Sequence, residues 1–182
     1  MLRDDRDVRQ DRVLNPMLIH CTQKLASKLP EVSTAPLSES NPMGSWHAHL
    51  YTIDRRQCML FCNDTTRYMM FLPGVRKEQF ADLGRLHREL FLATLAEQGV
   101  VTSVLKRVEL ALGPASFDCA TDRSVLSSMN VARGNMDCLK VRVDHISDLD
   151  PLETARWLNE RPVTIRGKWI FPADTMLAQI QR

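Results

Sequence analysis

Hydrophobic and polar positions along this 182-residue chain change period several times, and each change marks an element. The run "MLIHCT" (17–22) reads as a strand, and "TQKLASKL" as a short helix leaving it, with Thr22 as N-cap. From Trp46 to Asp64, two alternating arms flank Asp54-Arg55-Arg56-Gln57, the pattern of a β-hairpin. "TTRYMMFLPG" (65–74) extends it into a third strand ended by Pro73-Gly74. The period then lengthens. Phe80, Leu83, His87, Leu90, Thr94 and Leu95 form one stripe of a helix over 77–98, with His87 a satisfied core residue and Gly99 the stop. A helix follows over 102–111, then strand character in "ASFDCAT" (115–121). From Asp122 onward Val125, Met129, Ala132, Met136 and Leu139 recur at 4-3-4-3 spacing, which is helical. Asp150-Pro151-Leu152-Glu153 is a capping box opening a helix to about Asn159. "VTIRGKWIF" (163–171) reads as one short strand, and Pro172 starts a last helix.

Strands early and helices late predict an α+β fold: a small, mostly antiparallel sheet around the early hairpin, covered by four to five helices. Residues 1–16 alternate Arg and Asp with little to bury and read as a charged tail, leaving 17–182 as one domain. Residues 30–44 hold three Pro, one Gly and four Ser or Thr, a loop long enough to be mobile or to act as a lid.

With 44% apolar and 25% charged residues, the composition suits a globular domain with its own core. A net charge of +2 announces no global field. Of the 24 basic residues, however, 18 are Arg, whose planar fork suits phosphate or carboxylate; GC-rich codon usage accounts for the same excess. Five cysteines, at 21, 58, 62, 119 and 138, form no C-x-x-C, and the start has no apolar leader. Reduced thiols in the cytoplasm are the expectation, and no run is long and apolar enough to span a membrane. No GxGxxG, P-loop, HExxH or GxSxG motif is present, which argues against nucleotide, zinc-protease and α/β-hydrolase readings and implies no cofactor.

Candidate chemistry gathers in the hairpin. With a four-residue loop, residue i faces residue 111 − i. A two-residue turn at Arg55-Arg56 keeps that register but needs φ > 0 at both arginines. One face then carries Ile53/Cys58, Tyr51/Leu60, His49/Cys62 and His47/Asp64. The other, apolar in its middle, carries Thr52/Met59, Leu50/Phe61, Ala48/Asn63 and Trp46/Thr65. His47, His49, Cys62 and Asp64 are all zinc-ligand types, but cross-strand packing explains them equally. A His47–Asp64 pair has the chemistry of a carboxylate-oriented general base. Arg55 and Arg56 project two guanidinium groups from the tip. His20 ends the first strand and belongs to the same region, and Asp122-Arg123-Ser124 opens a helix whose N-terminus favours an anion.

"IHCTQKL" (19–25), "SWHAHL" (45–50), "RRQCMLFCND" (55–64) and "RSVLSSMN" (123–130) together resemble a family of small bacterial proteins of unknown function. The resemblance covers about residues 17–180 and imports no activity. The family pattern has Asn at position 49 and Thr at 62, which removes half of the zinc set and leaves no metal site expected. His20, Trp46, His47, Arg55, Arg56, Asp64, Arg123, Ser124 and Asn130 match it. The resulting expectation is a non-catalytic binding or regulatory module, an accessory to mobile-element or defence functions. It would contact a nucleic-acid backbone or an acidic protein surface through Arg55, Arg56 and Arg123, with Ser124, Asn130, Trp46 and His20 nearby. The alternative is a hydrolase or phosphoryl-transfer enzyme with His47 as base, Asp64 orienting it and Arg support.

Overall fold

The computed structural model describes residues 15–182, so nearly all of the charged N-terminal stretch lies outside the described residues. Strands β1 (Met17–Cys21), β2 (Trp46–Ile53), β3 (Arg56–Asn63), β4 (Met69–Leu72) and β5 (Ala115–Asp118) form one sheet in the order β4-β3-β2-β1-β5. β1 runs parallel to both neighbours, while β2–β3 and β3–β4 are antiparallel. The α+β class holds, and the sheet is mixed. "VTIRGKWIF" is two strands, not one: β6 (Val163–Ile165) and β7 (Lys168–Ile170) pair as a separate hairpin.

Helices cover both faces. Helix α1 (Gln23–Ala26) is one turn; Thr22 stands at its N-cap, but its hydroxyl makes no cap bond. Helices α2 (Leu83–Glu97) and α3 (Thr102–Ala111), with α6 (Pro172–Ile180), pack on the face carrying Met17, Ile19, Trp46, Ala48, Leu50, Met59, Phe61 and Met70. The expected start at Lys77 is a 3-10 turn that becomes α2. Gly84 is required there, because a Cβ on it would collide with Ala115 of β5. Helix α4 (Arg123–Lys140) lays Val125, Met129, Ala132, Met136 and Leu139 on the opposite face, over Leu60, Cys62, Met69 and Phe71. Helix α5 (Pro151–Asn159) closes the β4 edge: buried Asn159 accepts from Met69 N–H at 2.7 Å and donates to Met69 C=O at 2.7 Å, as another strand would.

The hairpin register differs from expectation. His47 faces Cys62, Tyr51 faces Cys58 and Ile53 faces Arg56, so partners sum to 109 and the loop has two residues. Asp54 and Arg55 adopt φ of 49° and 62°, the left-handed pair of a type I′ turn, whose twist suits strands of this length. Lys140, at the far end of α4, pairs with Asp54 and anchors the tip. A shift of two preserves parity, so the odd residues of β2 still share a face with the even residues of β3. Replacing Arg55 by Gly relieves left-handed strain, and a gain of about 0.5–1 kcal/mol in urea unfolding is the expected result.

Candidate functional site

One row crosses the sheet. Asp118, His20, His47, Cys62 and Met69 are register neighbours on β5, β1, β2, β3 and β4, and their side chains share the α4 face. Cys62 and Met69 lie beneath α4. Towards β5 the helix has not yet begun, and the polar members of the row stand at the sheet end bordered by residues 33–45, 64–67 and 119–122.

Two histidine–carboxylate pairs result. His20 Nδ1 lies 2.6 Å from Asp118 Oδ1, and Asp118 is fully buried. Burial works against the Asp118 anion, but N–H groups of Leu37 (2.8 Å) and Ala120 (3.1 Å), with His20, outweigh it and hold the carboxyl below its ordinary range. An ionised Asp118 only accepts, so His20 carries its proton on Nδ1, and Nε2 is left facing Asp64 Oδ2 at 3.6 Å. His47 Nδ1 lies 2.7 Å from Asp64 Oδ1, and Ser45 Oγ donates to Asp64 Oδ2 at 2.7 Å. The His20 and His47 rings are 4.8 Å apart.

The expected His47–Asp64 pair therefore forms, although the two are not cross-strand partners. Asp64 lies one residue past β3, and its N–H bonds to Ser45 C=O, which swings the carboxylate back over His47. The base role does not follow. Asp122 N–H donates to His47 Nε2 at 3.0 Å, which fixes the Nδ1–H tautomer and occupies the remaining lone pair. His47 orients Asp64, and the unengaged imidazole nitrogen of the row belongs to His20.

Asp122 also closes the helix entrance. Its Oδ1 accepts from Ser124 N–H (2.7 Å) and Val125 N–H (3.2 Å), so the N-terminus of α4 is capped by its own carboxylate and those amides are not offered to an external anion. Burial opposes that charge, but these amides, then Arg67 and His47, keep the carboxyl below its usual range. Arg67, 4% exposed, donates to Asp64 C=O and to Ser124 Oγ (3.0 Å), tying the turn after β3 to the start of α4.

The other predicted residues separate. Arg55 and Arg56 are exposed at the hairpin tip, by the C-terminal end of α4, whereas Arg123 is exposed at its start. Eighteen helical residues put those ends roughly 27 Å apart, so the three arginines form no single surface. Asn130 is exposed two turns along α4. Trp46 is not a surface contact: it points to the opposite face, 0% exposed, edge-on to His87 and Phe91. The zinc set does not assemble either. Cys62 is enclosed, its thiol pushed up by burial, and His49 stacks on Tyr51 at 4.1 Å. The loop at 30–44 is pinned through Ser33 to Phe117, Leu37 to Asp118, and Asn41 to Asn15, Ala111 and Leu112.

Sequence reasoning passed over Asp118, Ser45 and Arg67. Ser45 sits inside a stretch already singled out, two residues before His47. Asp118 had no local signal, because the β1–β5 pairing that delivers it joins segments almost 100 residues apart.

Residues 18–175 match the family described as a domain of unknown function (DUF6933), and the chain belongs to that family. No curated protein matches it. Among the described residues no helix is long and apolar enough to cross a membrane.

Proposed function

For a member of a family of unknown function the geometry of the site carries the reading, and we propose that this protein is an enzyme of the hydrolytic or phosphoryl-transfer class, with its reactive centre at His20 and Asp64. One observation carries the proposal: His20 is locked at Nδ1 by a buried carboxylate while Nε2 faces Asp64 Oδ2 across 3.6 Å. Both groups are rigid, His20 through Asp118 and Asp64 through His47 and Ser45. Such preorganisation lets a site polarise a water at one position without reorganising during the reaction. A scaffold needs no such arrangement. Exposed Arg123 and Ser124, at the start of α4 beside Asp122, are candidates to hold an anionic group of the substrate.

The test is turnover of nitrophenyl phosphate, bis-nitrophenyl phosphate and nitrophenyl acetate by the purified protein. His20→Gln and Asp64→Asn should each lower kcat at least 100-fold with the fold retained. Turnover unchanged by both substitutions, or no turnover of any ester, defeats the proposal. Exposed Arg55 and Arg56 support a separate anionic contact, with a nucleic-acid backbone or an acidic protein. That reading requires salt-sensitive RNA or DNA binding lost in Arg55→Ala/Arg56→Ala, while turnover in this variant stays at the wild-type level.

A further inference from the structure

The position faced by His20 Nε2 and Asp64 Oδ2 also meets the requirements of a cation site, and we propose that it binds a divalent transition-metal ion of the zinc, cobalt or manganese type. The proposal rests on the same His20–Asp64 geometry as the hydrolytic reading and deepens it, since it names the agent that polarises the water, but the two are tested separately. His20, His47 and Asp64 gather ligand-type atoms all within 4.8 Å of one another, with His20 and Asp64 the ligands and His47 in support. Nitrogen and oxygen ligands at about 2.0–2.2 Å from such an ion stand roughly 3.0–3.5 Å apart, so the 3.6 Å between Nε2 and Oδ2 closes with a small side-chain adjustment.

The surroundings match a metal site more closely than an isolated ion pair. A histidine that ligates through one nitrogen usually donates its other N–H to a carboxylate, and Asp118 takes that place at 2.6 Å from His20 Nδ1. A ligating carboxylate is normally held by further hydrogen bonds, and His47 and Ser45 supply them to Asp64. His47 is a supporting group and not a ligand, because the Asp122 N–H on its Nε2 leaves the proton on Nδ1. The carboxylates of Asp64, Asp118 and Asp122 converge here against the guanidinium groups of buried Arg67 and exposed Arg123, so the local charge balance still favours a cation. The carboxylate is a hard ligand open to many cations, but the imidazole is borderline and suits zinc, cobalt or manganese better than magnesium or calcium. Two protein ligands are one fewer than catalytic zinc usually keeps, and the remaining positions are open to water and substrate, unlike the closed set of a structural metal.

Titration calorimetry with zinc, manganese and cobalt chloride tests this on the intact protein. One equivalent should bind, with at least 10-fold weaker affinity in His20→Gln and Asp64→Asn and 10–100-fold weaker affinity in Asp118→Asn. His145→Ala, at an exposed histidine remote in sequence from these residues, should bind as wild type. Diamagnetic zinc added to the wild-type protein provides a readout that does not depend on a variant folding. Imidazole NMR signals of His20 and His47 should shift, and those of His87 and His145 should not. Absence of binding to millimolar metal, affinity indifferent to both ligand substitutions, or zinc-induced shifts at His87 or His145 without shifts at His20 would overturn the cation site. The two proposals fail separately: metal binding without ester turnover defeats the hydrolytic reading alone, and turnover that survives chelation without metal binding defeats the cation alone.

Discussion

Replacing Asn63 by Ala should destabilise the protein by about 3 kcal/mol or more, a fall of roughly 6–12 °C in Tm for a chain of this size. Asn63 is fully buried at the end of β3 and uses its whole amide. Its Oδ1 accepts from Thr65 N–H (3.2 Å), Thr66 N–H (3.0 Å) and Thr66 Oγ1 (3.0 Å), and its Nδ2 donates to Met43 C=O (2.9 Å) and Ser45 C=O (3.3 Å). Alanine leaves several of those groups buried without partners, each costing about 1–3 kcal/mol before relaxation. The turn they shape carries Asp64 and Arg67, so the site should be lost along with stability. Asn63→Asp keeps the acceptor but sets a second carboxylate oxygen against the Met43 and Ser45 carbonyls in a buried position, and should be at least as destabilising as Asn63→Ala. Urea unfolding of the three proteins checks this order. A difference under 1 kcal/mol for Asn63→Ala would show that the turn is held by other means.

Replacing His87 by Leu should remove much of the protein's sensitivity to mild acid. The expected satisfied core histidine is buried, but neither ring nitrogen has a hydrogen-bond partner. The ring sits among Trp46 (4.4 Å), Phe61 (4.9 Å) and Phe91 (6.3 Å). Burial, and secondarily the charge of Arg88, lower its pKa from 6.5 to about 3. Between those values the unfolded chain takes up a proton that the native state refuses, so stability falls as pH drops below about 6.5 and flattens near 3. The loss is about 2 kcal/mol at pH 5 relative to pH 7.5. Asp118 and Asp122 act in a lower window. Their depressed carboxyls contribute stability present above about 3.8 and lost as pH falls through their folded values, and His87→Leu leaves that limb in place. Urea unfolding at pH 7.5 and 5.0 separates the effects: the variant should lose about 2 kcal/mol less than wild type over this interval. Equal losses would place the acid sensitivity elsewhere.

Much of the framework was legible in the chain because it rests on local physics. The 4-3-4-3 spacing from Val125 to Leu139 is the buried stripe of α4, and Asp150-Pro151 opens α5 through the expected carboxylate cap. Alternation in β2 and β3 assigned the two faces even though the loop was two residues shorter than expected, because parity survives a shift of two. The same alternation placed Trp46 on the apolar face, and its assignment as a contact residue rested on resemblance alone.

Position along the chain also brought out His20, His47, Asp64 and Ser124 as one region. What each does was decided by contacts between distant segments. Asp118 reaches His20 only because β5 pairs with β1, and the Asp122 amide reaches His47 only because α4 begins over that strand. Those contacts moved the open imidazole nitrogen from His47 to His20 and set Arg55 and Arg56 a helix length away from Arg123. Periodicity and caps are properties of neighbours in sequence and survive without tertiary context. A hydrogen-bonded site depends on tautomer and register, and these are set only when strands far apart in the chain come together.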